Sequence, residues 1–511
     1  MKKPICHKCD HLMHNAGKAQ SGNVRWKCSK CKTRTTRPDE IRKGYDEALV
    51  SDNCQKLRER IKGGLNNFII TCATNNTVKH GKGLQALETY AKKIGAQIIV
   101  VPNHYKNKDK FTAAQIFNKR FSPGLEQYMI DQKVYLGGGI ELRAEISIEA
   151  PAVNPLQGKH AIGGARSTIY GHPQLAMKPV GTPGGMQPKR MWATGCINRP
   201  DYSISDRGAK AEFHHTIGAL LVEARGNRHW VRQLLIDSKG GFYDLDKRVD
   251  GDKITKAKPA LALVTGDEHE LWMCPKVKKA TYGKGGIVDT LKPKYLVRHD
   301  VLDGYAGSHH HKNSPLTQFA KHHKGLGDYR KELDRVVKHL DETTPSYATN
   351  LIVHSNHHDH LDKWLDSVSP NSDHLNALLI CEMQKEQREA VLAGKDTHAF
   401  RLYVDPRVKA KTVFLSRNKA FMVGDVDVSQ HSDVGVNGSR GSAAAFTRTV
   451  YKKTIGHGHG AHIEKGVWQA GTSTGRLEYE RGYGTHCNTH IVHYANGKRA
   501  TITINGNKWR G

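Results

Sequence analysis

Five times in the second half of the chain, a cluster of histidine and acidic residues follows or lies near a short apolar run. Ala260-Leu-Ala-Leu-Val264 leads into Gly266-Asp-Glu-His-Glu270, Tyr295-Leu-Val297 into His299-Asp-Val-Leu-Asp-Gly304, and Asn350-Leu-Ile-Val353 into Ser355-Asn-His-His-Asp-His360. Phe421-Met-Val423 precedes Gly424-Asp-Val-Asp-Val-Ser-Gln-His431, and the last piece is Gly456-His-Gly-His-Gly-Ala-His462. Short apolar runs bounded by polar clusters read as buried strands. Ligands at the C-terminal ends of several strands converge on one edge of a sheet, and Asp267 and His269, two apart at such an end, can both turn into one ion. Of the 31 histidines, 21 lie at or after position 269, which puts metal or phosphate chemistry in the C-terminal half. Any one piece alone is a weak signal; the order of all five is the constraint.

In that order the pieces resemble the signature of the calcineurin-like metallophosphoesterase superfamily: DxH, GDxxD, GNH[DE], a lone His, then GHxH. The resemblance covers roughly residues 255–511. It implies an αββα sandwich and two divalent ions. Asp267, His269, Asp300 and His459 would hold the first ion; Asp300, Asn356, His431 and His457 the second, with Asp300 bridging. His357 would face the scissile phosphate and protonate the leaving oxygen or stabilise developing charge. Carboxylate, imidazole and amide donors suit Mn2+ first, with Zn2+, Fe2+ or Mg2+ as alternatives. Such a pair of ions clamps the attacking and leaving oxygens of a phosphodiester and acidifies the attacking water. The sequence departs from the signature: His299 stands where the family has Gly before the bridging Asp, Ser355 where it has Gly before Asn, and His358 displaces the following acid to Asp359. Two pairs therefore stay open, His357 or His358 for catalysis and Asp300 or Asp303 as bridge. His431 is the softest assignment, because Asp425 and Asp427 lie nearby. His309-His310-His311 and His322-His323 match no ligand motif and read as a solvated or substrate-facing loop.

After His431 comes Ser432-Asp-Val-Gly-Val-Asn-Gly-Ser-Arg-Gly441, whose glycines let backbone approach a phosphate and whose Arg440 suits bidentate contact. This stretch, the GHGH and the long α/β region before them resemble the pre-early DNA-transfer nucleases of T-five-type tailed phages. That resemblance implies degradation of host DNA in the host cytoplasm.

The N-terminus carries a separate signal. Cys6-x2-Cys9 and Cys28-x2-Cys31, 18 residues apart, are two knuckles that close a four-thiolate zinc site. With no ligand position left open, this zinc is structural, and it supplies folding energy that so short a segment lacks. Up to Arg37 there are ten Lys/Arg against one acid, Asp10. Trp26, Lys27, Lys30, Lys32 and Arg34 suit phosphate contact plus stacking on a base. The segment resembles the zinc ribbons that begin many transposases and phage DNA proteins; protein docking is the competing reading.

The expected organisation is a zinc ribbon at 1–37, a helical linker at 38–64, an α/β domain of unassigned role at 65–254 and a metallophosphoesterase-type domain at 255–511. Phe68-Ile-Ile-Thr, a helical spacing of Leu84, Leu87, Tyr90 and Ala91 stopped by Gly95, and Ala96-Gln-Ile-Ile-Val-Val-Pro102 read as strand–helix–strand. The stretch from Val134 to about Asp250 reads as short strands broken by Gly and Pro, and His214-His215 as a packed or hydrogen-bonded pair. No apolar run approaches the ~20 residues needed to span a bilayer. With 79 Lys+Arg against 49 Asp+Glu, the formal charge of +30 makes a polyanion the expected partner. The reading is thus an α/β, two-metal deoxyribonuclease with little sequence preference, binding DNA with steep salt dependence; a homo-oligomer is compatible with it. A metallophosphatase on phosphoproteins or small phosphoesters is the runner-up, and a non-enzymatic DNA-binding transfer protein the third reading.

Overall fold

The computed structural model describes residues 13–18, 24–32, 34–35, 47–75, 77–105, 121–308, 311, 313–477 and 480–511. It is a mixed α/β protein that divides into two units: residues 1–177, 190–256 and 511, and residues 178–189 with 257–510.

The first unit begins with a small antiparallel sheet of Met13–Lys18, Val24–Cys28 and Arg34–Thr35. Trp26 packs against buried Met13 and Cys28, so its ring is half-buried. Lys30, Lys32 and Arg34 are exposed. The Cys31 amide donates to Cys28 Sγ at 3.5 Å, the turn expected of a knuckle. Cys6 and Cys9 lie outside the described residues. The linker region contains the helix Glu47–Lys62; residues 38–46 are also outside the description.

Next comes a four-stranded sheet in the order Arg228–Leu235, Gly218–Arg225, Asn67–Thr74, Gln97–Asn103. The last two strands run parallel, joined by the helix Gly81–Ile94. Gly95 ends that helix at φ 62, a left-handed cap that glycine adopts without strain, and its N–H bonds to Ala91 O. Strands His172–Pro179, Arg190–Gly195, Ser167–Tyr170, Ile140–Arg143 and Lys133–Gly137 stand side by side in that order. His214 ends the helix Asp206–His214, and His215 bonds through its two ring nitrogens to Tyr202 OH and Asn198 O, both at 2.8 Å.

A buried ion pair holds this unit together. Arg232 donates to both Asp244 oxygens, at 2.6 and 3.0 Å, and Tyr90 OH donates to Asp244 Oδ2 at 2.7 Å. Burial opposes the charge on Asp244, but Arg232 overrides it and holds the carboxyl below its ordinary value of 3.8. Asp244→Asn is therefore expected to cost about 3–5 kcal/mol at neutral pH, because it leaves a buried guanidinium short of its partner. The contribution is present above pH 3.8 and fades as pH falls below it, so urea melts should show the wild-type and variant midpoints converging in acid.

The second unit is built on a six-stranded sheet in the order Thr412–Leu415, Thr349–Val353, Tyr295–Arg298, Ala262–Val264, Thr489–His493, Arg499–Thr503. The first four strands are parallel; Thr412–Leu415 is a partly exposed edge, while the next three are buried almost throughout, which is why those three read as continuous apolar runs. Helices Tyr329–Thr343, Asp359–Ser367, Ala377–Leu392 and Ala399–Val404 pack over Ile352 through Leu333, Leu361, Ile380 and Phe400. Strands Met422–Val423, Val426–Asp427, Lys452–Ile455, Val467–Gln469 and His462–Glu464 lie in this order in another sheet. It meets the six-stranded sheet through polar contacts: Thr454 Oγ1 bonds to His493 Nε2 at 2.9 Å, and Arg499 donates to Lys453 O and Gly466 O. Among the described residues no helix is long and apolar enough to cross a membrane.

Candidate metal centre

Three adjacent parallel strands end at one rim. Val264 is followed by Asp267 and His269, Arg298 by His299 and Asp300, and Val353 by Ser355 to His358. From the other sheet, His431 follows strand Val426–Asp427, while His457 and His459 follow Lys452–Ile455. A bond from Gly456 N to His431 O (3.1 Å) ties these two loops together. Nitrogen and oxygen atoms within 4.8 Å of one another define four overlapping triplets: Asp267, His269 and His459; Asp267, His299 and His431; Asp300, His431 and His457; His269, Asp300 and His357. Asp267 and Asp300 are shared between them, and both are almost wholly buried.

The backbone is bent to achieve this. His269 (φ 38), Asp300 (φ 45), His457 (φ 70) and His459 (φ 48) all occupy the left-handed region. Non-glycine residues pay of order 1–3 kcal/mol for such a conformation, and strain of this kind clusters at functional sites. Gly456 is required between them, since a Cβ there would overlap Asp267 Oδ1 and the His299 ring. Gly456→Ala is accordingly expected to displace Asp267 and lower divalent-ion content, measured by elemental analysis, with little change in the far-ultraviolet dichroism.

Hydrogen bonding orients the imidazoles. Asp303 accepts from His269 Nδ1 at 2.8 Å and from Trp272 Nε1 at 3.1 Å, and Glu480 accepts from His459 Nδ1 at 2.6 Å. With both Nδ1 atoms donating to carboxylates, each Nε2 of the neutral ring carries a lone pair. Those two atoms face each other at 3.3 Å, and His459 Nε2 lies 3.4 Å from Asp267 Oδ2. Such an array is repulsive unless a cation or proton lies among the donors. His431 Nε2 is 3.0 Å and His269 Nε2 3.6 Å from Asp300 Oδ2.

The electrostatics are mutual. Burial pulls His431 down, yet Asp300 overrides it and raises the imidazole to about 9. Asp300 is held well below the ordinary range against its burial, chiefly by His431. Burial likewise opposes charge on His459, and Glu480 raises it regardless. Burial lowers His457, and burial with His431 lowers His299 to about 4. Asp300 Oδ1 and Asn356 Oδ1 are buried and make no hydrogen bond among the described residues. A buried polar atom left so costs about 1–3 kcal/mol. Oxygen donors left so beside converging imidazoles fit Mn2+ or another transition-metal ion.

The two open pairs separate in space. His357 donates from Nδ1 to Asp303 O at 2.7 Å, and its ring meets His269 edge-on at 4.6 Å. His358 instead stacks on Phe400 at 4.2 Å, and burial holds it well below its ordinary range. Asp300 belongs to two of the triplets, whereas Asp303 binds the far nitrogen of His269. Asp425 and Asp427 pair with Lys452 and Lys453 and take no part. Arg440 is exposed on its loop, where Val434 and Arg440 form an isolated bridge. His311 packs edge-on against Tyr305, and His322 and His323 are exposed; His309 and His310 lie outside the described residues. Sequence reasoning missed Glu480, which no motif marks, and His299, whose place in the signature belongs to glycine.

Fold and site together define a mixed α/β protein with a buried carboxylate–imidazole cluster suited to cations. The chain belongs to the family of protein A1 of Escherichia phage T5, with which it is 32% identical over 476 residues, covering 86% of this chain and 82% of the relative. No family model matches the chain, and no solved structure matches it.

Proposed function

We propose that the protein is a metal-dependent deoxyribonuclease of a T5-like phage, hydrolysing phosphodiester bonds at the cluster around Asp267 and Asp300. The carrying observation is that two sheets converge five strained or buried imidazoles, His269, His299, His431, His457 and His459, on two shared carboxylates. The helix–sheet–sheet layering of the second unit and the order of its motifs support a metallophosphoesterase-type domain. On this reading Asp267, His269, Asp300 and His459 hold one ion, and Asp300, Asn356, His431 and His457 the other. Bound divalent ions supply positive charge at the phosphoryl oxygens and acidify a water at neutral pH. Asp303 and Glu480 keep His269 and His459 in the tautomer that presents Nε2. The Asp303 carbonyl accepts from His357 Nδ1, so a proton for the leaving oxygen would come from Nε2 of the doubly protonated ring. The rim burial of Asp267 and Asp300 keeps bulk water from competing with the phosphate for these groups.

DNA is the proposed substrate because of the net charge of +30 and the basic N-terminal segment. Trp26, Lys27, Lys30, Lys32 and Arg34 would contact it there, on a ribbon held by structural Zn2+ at Cys6, Cys9, Cys28 and Cys31; Arg440 would contact a phosphate. The test is cleavage of supercoiled and linear DNA by the full chain with Mn2+, beside hydrolysis of a nitrophenyl phosphate monoester. Rapid, chelator-sensitive loss of DNA with slow monoester turnover supports the proposal. DNA left intact with Mn2+, Zn2+, Fe2+ or Mg2+ overturns it.

A further inference from the structure

We propose that His354, Asp359, Asp362 and His398 form a third cation site, for Zn2+, that shares no residue with the Asp267–Asp300 cluster. Asp359 Oδ1 lies 2.6 Å from His354 Nε2 and 3.2 Å from His398 Nε2, and His398 Nε2 is 3.5 Å from Asp362 Oδ2. The two imidazole rings are 4.3 Å apart. Tetrahedral Zn2+ with N and O ligands at about 2.0–2.2 Å sets neighbouring donors about 3.3–3.5 Å apart, so the longer two spacings suit it and the shortest closes as a hydrogen bond. Zinc takes both imidazoles and carboxylates, whereas Ca2+ and Mg2+ take carboxylates but do not favour imidazole.

Three further observations point to an ion rather than to a hydrogen-bonded trio. Asp362 Oδ2 is buried without a hydrogen bond, although Asp362 Oδ1 accepts from Ala399 N and Gln387 Nε2. Arg417 Nη1 donates to Asp359 Oδ2 at 3.0 Å, orienting that carboxylate while leaving Oδ1 toward the imidazoles. A cleft of about 310 Å³, lined by His354, His358, His398, Phe400 and Arg417 among others, gives an entry path.

The placement suggests the role. His354 directly precedes, and Asp359 directly follows, the loop Ser355–His358 that presents Asn356 and His357. Asp362 lies one turn further along the helix Asp359–Ser367, and His398 caps the helix Ala399–Val404. One ion would therefore pin both ends of that loop to two helices. The site stands whether or not the protein is a nuclease, because its test counts ions rather than turnover.

The untagged full chain is loaded with Zn2+, dialysed, and its metal-to-protein ratio measured for wild type, His354→Gln and His398→Gln. Each glutamine keeps a hydrogen-bond donor but no imidazole. The expected result is the loss of one equivalent of zinc in each variant, with the wild-type dichroism retained. Wild-type stoichiometry in both variants overturns the site. A second measurement needs no variant: diethyl pyrocarbonate modification of wild type, mapped by peptide mass. Protection of His354 and His398 by Zn2+ supports the site, and equal modification with and without Zn2+ overturns it.

Discussion

Asp300→Asn is expected to lower metal-dependent DNA cleavage by at least about a thousandfold, the upper range for losing one electrostatic stabiliser of a transition state. Asparagine is the apt replacement because Asp300 sits at φ 45, where its short amide is tolerated better than most side chains. The substitution keeps the shape and removes the charge. Asp300 is the carboxylate that lies 3.0 Å from His431 Nε2 and 3.6 Å from His269 Nε2, and its loss leaves the raised His431 imidazole without the partner that raises it. Both ions of the proposed pair should therefore bind more weakly, which elemental analysis after dialysis reads directly. Asp303→Asn is the control. Asp303 touches His269 only from behind, at Nδ1, so its loss should cost metal affinity about 10–100-fold and not abolish the site. If Asp303→Asn proves the more damaging of the two, the bridging role belongs to Asp303.

His357→Ala is expected to reduce the rate by about 10²–10⁴-fold while leaving metal content unchanged. The ring is fixed by one bond to the Asp303 carbonyl and stands edge-on to His269, close to the cluster yet with its second nitrogen uncommitted by that bond. A ligand would take ions with it when removed; a proton donor would not. His358→Ala should behave differently. His358 is sandwiched against Phe400, so its removal should lower stability with a smaller effect on rate, measured by thermal melts beside turnover.

The strands of the second unit were legible because both faces of a parallel sheet are covered, which leaves a run of apolar residues such as Ala260-Leu-Ala-Leu-Val264 with no other place to go. The helix 81–94 was legible from its spacing and its terminal Gly95. The order of the His and Asp motifs was legible too, since each motif abuts a strand. What could not be read is which of two neighbours turns inward. His357 and His358 are adjacent, and the turn at 356–358 that leads into the helix Asp359–Ser367 decides which ring meets His269 and which meets Phe400. Glu480 was invisible because it comes from a loop far along the chain, where nothing local distinguishes a carboxylate that binds His459 from one that meets solvent. Of the His354–Asp359–His398 cluster only Asp359 falls inside a motif already given another meaning, and His398 lies 39 positions further along.

The amino-acid order by itself determined the strands, the alternation of apolar run and polar cluster, and the excess of positive charge, because these depend on burial and composition summed over neighbours. Only the tertiary structure decided which side chains cluster, since residues such as His269 and His459 lie 190 positions apart. Contacts at that separation are set by sheet order, by four residues bent into the left-handed region, and by a glycine at 456 where no Cβ would fit.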